Sequence, residues 1–230
     1  MDEKRDLVAK TRLIQENSLK NTLIELFTKW EMLLGVIFVL MVIFFSNLSP
    51  YFLDYFNLMN ASFQFSEKAI MALPMIFIIM CGDIDISVAS IIALVAYAVG
   101  TASSFGVSTV SLIGIGLAVG AAAGFVNGLL ITTFDMPPIA VTLATQSIYR
   151  GIAQAALEER AMTSYPDRFG FFGQEFIKGT MIPFELVLFI VLAIIMGVIL
   201  HKTKYGRRVY AIGNSKQAAL FSGIKVDKIR

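Results

Sequence analysis

Apolar and polar positions fall into long separate blocks along this chain. Residues 32–48 form a first uncharged run of 17 residues, about the minimum for crossing roughly 30 Å of hydrocarbon. Ser49-Pro50 closes it, because the residue before a proline is disfavoured in a helix. Residues 107–133 are the longest uncharged stretch, and 184–200 are a further apolar run with Glu185 near its start. Residues 139–157 are a weaker run, interrupted by Thr142, Thr145, Gln146, Ser147, Arg150 and Gln154. Residues 69–81 are short for a plain span unless they extend back through Phe63 and Phe65, and they contain Pro74. A short, proline-interrupted apolar segment predicts a broken helix. A fresh run rich in small residues follows over 88–104. The pattern predicts an all-α fold: a polytopic integral membrane helical bundle of about six membrane segments, one of them short or broken. Three regions result: a partly amphipathic segment over 1–31, a transmembrane bundle over 32–200, and a loop segment over 201–230.

Charge sharpens this picture. Residues 1–31 hold 12 of the 36 charges, 201–230 hold 9 and 158–178 hold 7, leaving eight for the other 148 residues. A soluble fold needs charge over its whole surface, so this distribution excludes one, and the 57% hydrophobic content excludes disorder. Fourteen of the nineteen basic residues flank the two ends of the chain. With six crossings both ends then face the cytoplasm, the turns at 82–87 and 135–138 point the same way, and 158–183 faces outward. Leu19, Leu23, Phe27 and Trp30 recur at helical spacing, which predicts a surface helix against membrane lipid. A net charge of +2 gives no reason to expect nucleic acid. Cys81 and His201, single and far apart, make neither a metal site nor a nucleophilic pair, so no cofactor and no catalytic residue are expected.

Candidate chemistry lies in three places. Asp83 and Asp85 are the only acids between Lys68 and Asp135. Acids at membrane depth mark pathways, while Asp85 also suits an N-cap for a helix starting near Ser87; both roles can hold at once. With Ser87, Asn127, Thr142 and Gln146 they are the candidate lining of a translocation pathway, the alternative being that these polar groups tie helices together. Gly116, Gly120, Gly124 and Gly128 recur every fourth residue, a ridge on one helix face that admits close helix packing. Beyond 200, Asn214 or Ser215 is a good N-cap, 216–221 reads as a short helix and Gly223 stops it. A short helix on a basic loop suits docking onto a partner.

Three blocks of sequence carry a family resemblance. Gly82-Asp83-Ile84-Asp85-Ile86-Ser87-Val88-Ala89-Ser90 is similar to a GGIDLSVGS segment. Asn127-Gly128-Leu129-Leu130 followed by Met136-Pro137-Pro138-Ile139-Ala140-Val141-Thr142-Leu143-Ala144-Thr145 is similar to NGLL…PPFIVTLGT. Tyr205-Gly206-Arg207, Ala211-Ile212-Gly213-Asn214, Ala218-Ala219 and Ser222-Gly223-Ile224 are similar to FGR…AIGGN…AA…SGI. In this order and spacing they resemble the permease subunits of bacterial ABC importers for monosaccharides, of the ribose, xylose, rhamnose and autoinducer-2 type. The resemblance covers nearly everything from about residue 32 onward. Asp83 and Ala89 stand where that pattern has glycines.

The resemblance implies a subunit of the bacterial cell (inner) membrane that hydrolyses nothing itself. Its implied partners are a cytoplasmic ATP-binding subunit, a second permease subunit, identical or different, and a periplasmic or lipid-anchored sugar-binding protein. Gly213, Asn214, Ala218, Ala219, Ser222, Gly223 and Ile224 then belong to the coupling helix that docks on the ATPase. Permeases of this type continue through several more crossings, so a chain ending at Arg230 reads as a truncated product, a fragment or half of a split permease. Two other readings stay open: a secondary transporter driven by an ion gradient through Asp83 and Asp85, and a non-transporting remnant that only binds the ATPase.

Overall fold

The computed structural model describes residues 30–158 and 160–229. The stripe expected over Leu19, Leu23 and Phe27 lies outside the described residues. Among the described residues nine α-helices follow in order: α1 (Trp30–Leu48), α2 (Tyr55–Met80), α3 (Val88–Ser104), α4 (Thr109–Thr133), α5 (Pro138–Leu157), α6 (Phe171–Gln174), α7 (Phe184–Lys202), α8 (Lys204–Asn214) and α9 (Lys216–Phe221). Short 3-10 turns stand at Asp167–Phe169 and Val226–Lys228. Among the described residues the only β contact is an isolated bridge between Phe176 and Pro183. The chain divides after Leu58 into two compact units.

The first unit contains α1, whose apolar side chains are exposed all round, Phe38 and Phe44 among them. A helix apolar on every face is one made for lipid or for the inside of a bundle. Its Ser46 hydroxyl donates back to the Val42 carbonyl (2.7 Å), so it exposes no unpaired donor.

Three helices are long and apolar enough to cross a membrane: α2, α4 and α7. The apolar stretches Met32–Leu48 and Val88–Ser104 are shorter, and α5 has 20 residues with a more polar face. The all-α, multi-helix expectation therefore holds. Residues 69–81 extend back through Phe63 and Phe65, and the break expected at Pro74 is absent. α2 is a continuous helix of 26 residues that runs straight through Glu67, Lys68 and Pro74. Its start is fixed by Asp54, whose carboxylate accepts from the Phe56 N–H (3.1 Å), and no breaker follows until the far end. The interruption falls after Met80. There the Gly82 N–H bonds the Ile79 carbonyl (3.0 Å) and the Asp83 N–H bonds the Ile78 carbonyl (3.1 Å). That pairing is a Schellman stop with Gly82 at its left-handed position, φ +85°. Only Gly82 needs φ > 0 here, which is why an aspartate is tolerated at 83.

In the second unit α3 packs against both α4 and α5. Half of the glycine ridge serves this packing. A Cβ on Gly116 would meet Val99 and Val95 of α3 at 3.4 and 3.5 Å, and one on Gly120 would meet Val95 at 3.7 Å. Gly124 and Gly128 have open space before them. The stretch 158–183, read from its charges as a polar loop, is folded around aromatic rings. Phe171 lies 4.9 Å from Phe184 and 5.7 Å from Phe172, and the Ser103 hydroxyl of α3 donates to the Ser164 carbonyl.

At the other end, α8 is amphipathic: Gly206, Val209 and Ile212 are buried, while Lys204, Arg207 and Arg208 face out. Thr203 caps it, accepting from the Gly206 N–H (3.2 Å). The corner between α7 and α8 has no room for a side chain at 206, because a Cβ there would overlap the Leu200 carbonyl. Gly206→Ala is expected to cost on the order of 2 kcal/mol or more, as other changes that force backbone apart do. Gly197→Ala, with nothing within 4 Å of its added methyl, should be neutral or stabilise by a few tenths up to ~1 kcal/mol. Thermal unfolding of the two purified variants in one detergent checks the contrast.

Candidate functional site

The seven residues from Cys81 to Ser87 connect α2 to α3 without helical structure. The first N–H groups of this segment bond back to the end of α2 and the Ser87 carbonyl accepts from α3, while side chains take up the Ser87 N–H and the Ile84 carbonyl. Asp85 accepts from both the Ser87 N–H (2.7 Å) and the Ser87 hydroxyl (2.6 Å). Ser87, not Asp85, is the N-cap residue of α3; the aspartate holds it from two residues before. Asn127 of α4 donates its amide to Ser87 Oγ (2.8 Å). Tyr149 of α5 donates to the Ala123 carbonyl (3.1 Å) and reaches Asn127 Oδ1 at 3.4 Å. Thr142 of α5 donates at 3.4 Å to the Ile84 carbonyl, shared with the Ile139 carbonyl. The result is a relay, Tyr149 to Asn127 to Ser87 to Asp85, that ties the break to both neighbouring helices.

This relay is dry. Ser87, Asn127 and Thr142 are no more than 4% exposed. Beside it lies a cavity of about 160 Å³ whose wall includes Asp83, Asp85, Gly124, Asn127, Gly128 and Thr142. Five of the six expected pathway residues thus come together at one place, counting Ser87 through its bonds. Gln146 does not join them: it is half-buried one turn beyond Thr142 and outside that wall. Gly124 and Gly128, expected to pack helices, border the cavity instead. Tyr149 is the member sequence reasoning missed. Its spacing from Val141, Thr145 and Ala153, all buried at four-residue intervals, is the signal that could have found it.

The same cavity is closed from the far side by Tyr205 of α8 and Ile229. The Tyr205 hydroxyl donates to the Ile229 carbonyl (3.3 Å). Burial, with a lesser electrostatic contribution from Cys81, raises this phenol above its ordinary value, so it stays a neutral donor through the physiological range. Gly213 meets the end of α2 with no side chain between them: a Cβ on it would overlap the Met80 carbonyl.

Helices α8 and α9 form a helical hairpin of their own. Ser215 caps α9, accepting from the Ala218 N–H (3.2 Å). Gly223, φ +78°, ends it in a second Schellman stop, with the Gly223 N–H on the Leu220 carbonyl and the Ile224 N–H on the Ala219 carbonyl, both 3.0 Å. Ala219, Ile212 and Val226 are buried against one another, with Cys81 and Ile224 packed on them. Ala219 therefore faces inward. The side chain presented outward is Phe221, 93% exposed.

A helical bundle with a hydrogen-bonded break inside it, and with several helices apolar enough for lipid, has the architecture of a polytopic membrane permease. The chain belongs to the family described as branched-chain amino acid transport system / permease component, whose model matches residues 57–230. It is similar to the ribose import permease protein RbsC of Bacillus subtilis (strain 168), 37% identical over 193 residues, which is 83% of this chain and 59% of that protein. It is also similar to the autoinducer 2 import system permease protein LsrD of Enterobacter sp. (strain 638), 31% identical over 204 residues, 86% of this chain and 62% of that protein. LsrD of Escherichia coli (strain K12) is 32% identical over 205 residues, with the same coverages. The chain thus spans about three fifths of the length of these relatives. No solved structure matches it.

The relay predicts strong coupling between α3 and α4. Asn127→Ala and Ser87→Ala should each destabilise by about 1–3 kcal/mol, since each strands a buried partner. The double variant should lose less than the sum, by about 0.5 kcal/mol or more. Detergent melting of the four proteins of the cycle measures it, and strict additivity would dismiss the relay.

Proposed function

We propose that this chain is the membrane-spanning permease subunit of an ATP-driven importer that carries a monosaccharide into the cytoplasm. The observation that carries this reading is the likeness to permeases named for ribose import and autoinducer 2 import, over most of this chain. In this reading the chain sits in the bacterial cell (inner) membrane with its N-terminus in the cytoplasm. It works with a cytoplasmic ATP-binding subunit, a second permease subunit and an external sugar-binding protein.

The physical logic follows from the two halves of the site. A transport cycle needs a surface on which the ATPase can push and a mechanical link from it into the bundle. α9 supplies the surface: a capped, rigid helix with a bare phenylalanine at its end. A large apolar side chain in water is costly to keep unless a partner covers it. The link is Gly213, seated on the Met80 carbonyl at the end of α2, and Cys81, packed on Ala219 and Ile212. A displacement of α9 passes along these contacts to the 81–87 break. Asp85 has its carboxylate engaged by Ser87, which suits a hinge better than an ion-coupling site.

Two measurements test the reading. Uptake of labelled ribose should cease when ATP is depleted while the ion gradient is kept; persistence would favour a gradient-driven carrier. Phe221→Asp should abolish co-purification with the ATP-binding subunit while membrane insertion is unchanged. Introducing a charge at Ala219 should instead disorder the hairpin itself, seen as protease sensitivity of 204–229, because that position is buried. Retained association of the Phe221 variant would remove α9 from the coupling role, and association without any uptake would mark a subunit that binds but does not transport.

A further inference from the structure

The polar residues of α5 divide between two faces. Val141, Thr145, Tyr149 and Ala153 are buried against α3 and α4. Gln146, Arg150 and Gln154 recur at the same four-residue interval on another face, which puts them in a row along about 12 Å of helix. None of the three side chains has a hydrogen-bond or ion-pair partner among the described residues; the one salt bridge there joins Arg160 to Glu158. Arg150 and Gln154 open onto a groove of about 250 Å³ whose opposite wall is made of Ala89 and Ala93 of α3. Ile148 and Ile152 stand on a third face, apolar and exposed.

Where 139–157 crosses the membrane, as its apolar pattern predicts, an arginine flanked by two glutamines turns to protein or to water-filled space and not to the lipid that suits Ile148 and Ile152. α3 and α4 carry no acid with which to pair Arg150, and the facing alanines leave room where a packed helix would fill it. We infer that the Gln146–Arg150–Gln154 row is the wet wall of the solute pathway, and that it takes an uncharged, hydroxyl-rich solute through donation to its oxygens. The guanidinium offers five N–H donors and no acceptor, and each glutamine adds an amide donor and a carbonyl acceptor. That set suits hydroxyl and ring oxygens and repels cations. The groups that seemed suited to line a pathway, Ser87, Asn127 and Thr142, are already spent on the break. The solute class rests on the import reading above; the wet wall does not.

The test is cysteine accessibility in membranes, with the wild-type protein, whose one cysteine is Cys81, as background. Cysteines at 146, 150, 154, 148 and 152 are each exposed to a charged, membrane-impermeant thiosulfonate. Thiolates form only where water reaches, so Gln146→Cys, Arg150→Cys and Gln154→Cys should label on the order of tenfold faster than Ile148→Cys and Ile152→Cys. Equal rates at all five, or no labelling of the row, overturn the wet wall; so does disulfide cross-linking of Arg150→Cys to a second copy, which would make the face a subunit contact. Ribose should slow labelling of the row severalfold and leucine should not. Protection by leucine alone, with the labelling pattern intact, overturns the hydroxyl-rich solute and the sugar reading together while leaving the wall standing.

Discussion

Everything in this structure depends on one requirement: an extended stretch of backbone inside an apolar bundle must have its polar groups satisfied. Each unpaired N–H or carbonyl in such surroundings costs about several kcal/mol. Non-helical chain at membrane depth therefore survives only where side chains reach it. Residues 81–87 meet that requirement from three directions. Asp85 accepts from the Ser87 N–H within the segment, Thr142 of α5 donates to the Ile84 carbonyl, and Asn127 of α4 holds the Ser87 side chain in place. Take away those three and the break has no reason to stay open instead of extending a helix or leaving the bundle.

The same requirement explains where glycine is irreplaceable. Gly82 and Gly223 both end a helix through left-handed backbone. Gly206 and Gly213 do something different: each lets one backbone touch another, at the Leu200 and Met80 carbonyls. The first brings α8 against the end of α7 and the second brings it against the end of α2, so the hairpin and the 81–87 break meet at Gly213. A side chain at either point would force the two touching backbones apart. In the transport proposal these contacts are the route by which a displacement of α9 would reach the hydrogen bonds around Ser87.

Local rules were legible in the sequence and distant pairings were not. The short helix over 216–221, its Ser215 cap and its Gly223 stop follow from nearest neighbours alone, and they stand in the structure as read. The turn at 135–138 likewise ends with Pro138 as the first residue of α5, where its missing N–H costs nothing. The backward extension of α2 through Phe63 and Phe65 was open to the sequence reading, whereas Pro74 suggested a break that the helix does not have. Lys68 in fact folds its ammonium back onto the Gln64 carbonyl (3.2 Å), and no residue before Gly82 supplies a stop. The partners of Asn127 were out of reach of any pattern: Ser87 lies 40 residues away and Tyr149 lies 22 away. Ala219 was assigned to docking from its place in a motif. Its inward orientation depends on Ile212 and Val226, which no periodicity within six residues could reveal.

Buried polar groups and wet polar groups look alike in a sequence, yet they answer to opposite constraints. A buried one is fixed by a partner of matching geometry, so its substitution strands that partner. A wet one is fixed only by the medium, so it can be long, flexible and donor-rich. Thr145 and Gln146 are neighbours in α5 and fall on different sides of this line: the first donates to the Thr142 carbonyl (3.3 Å) inside the bundle, while the second heads a row with no partner. A single residue step, about 100° around the helix, thus separates glue from the inferred lining. A permease has to keep the two apart, because a group that holds the helices together cannot also let go of a solute.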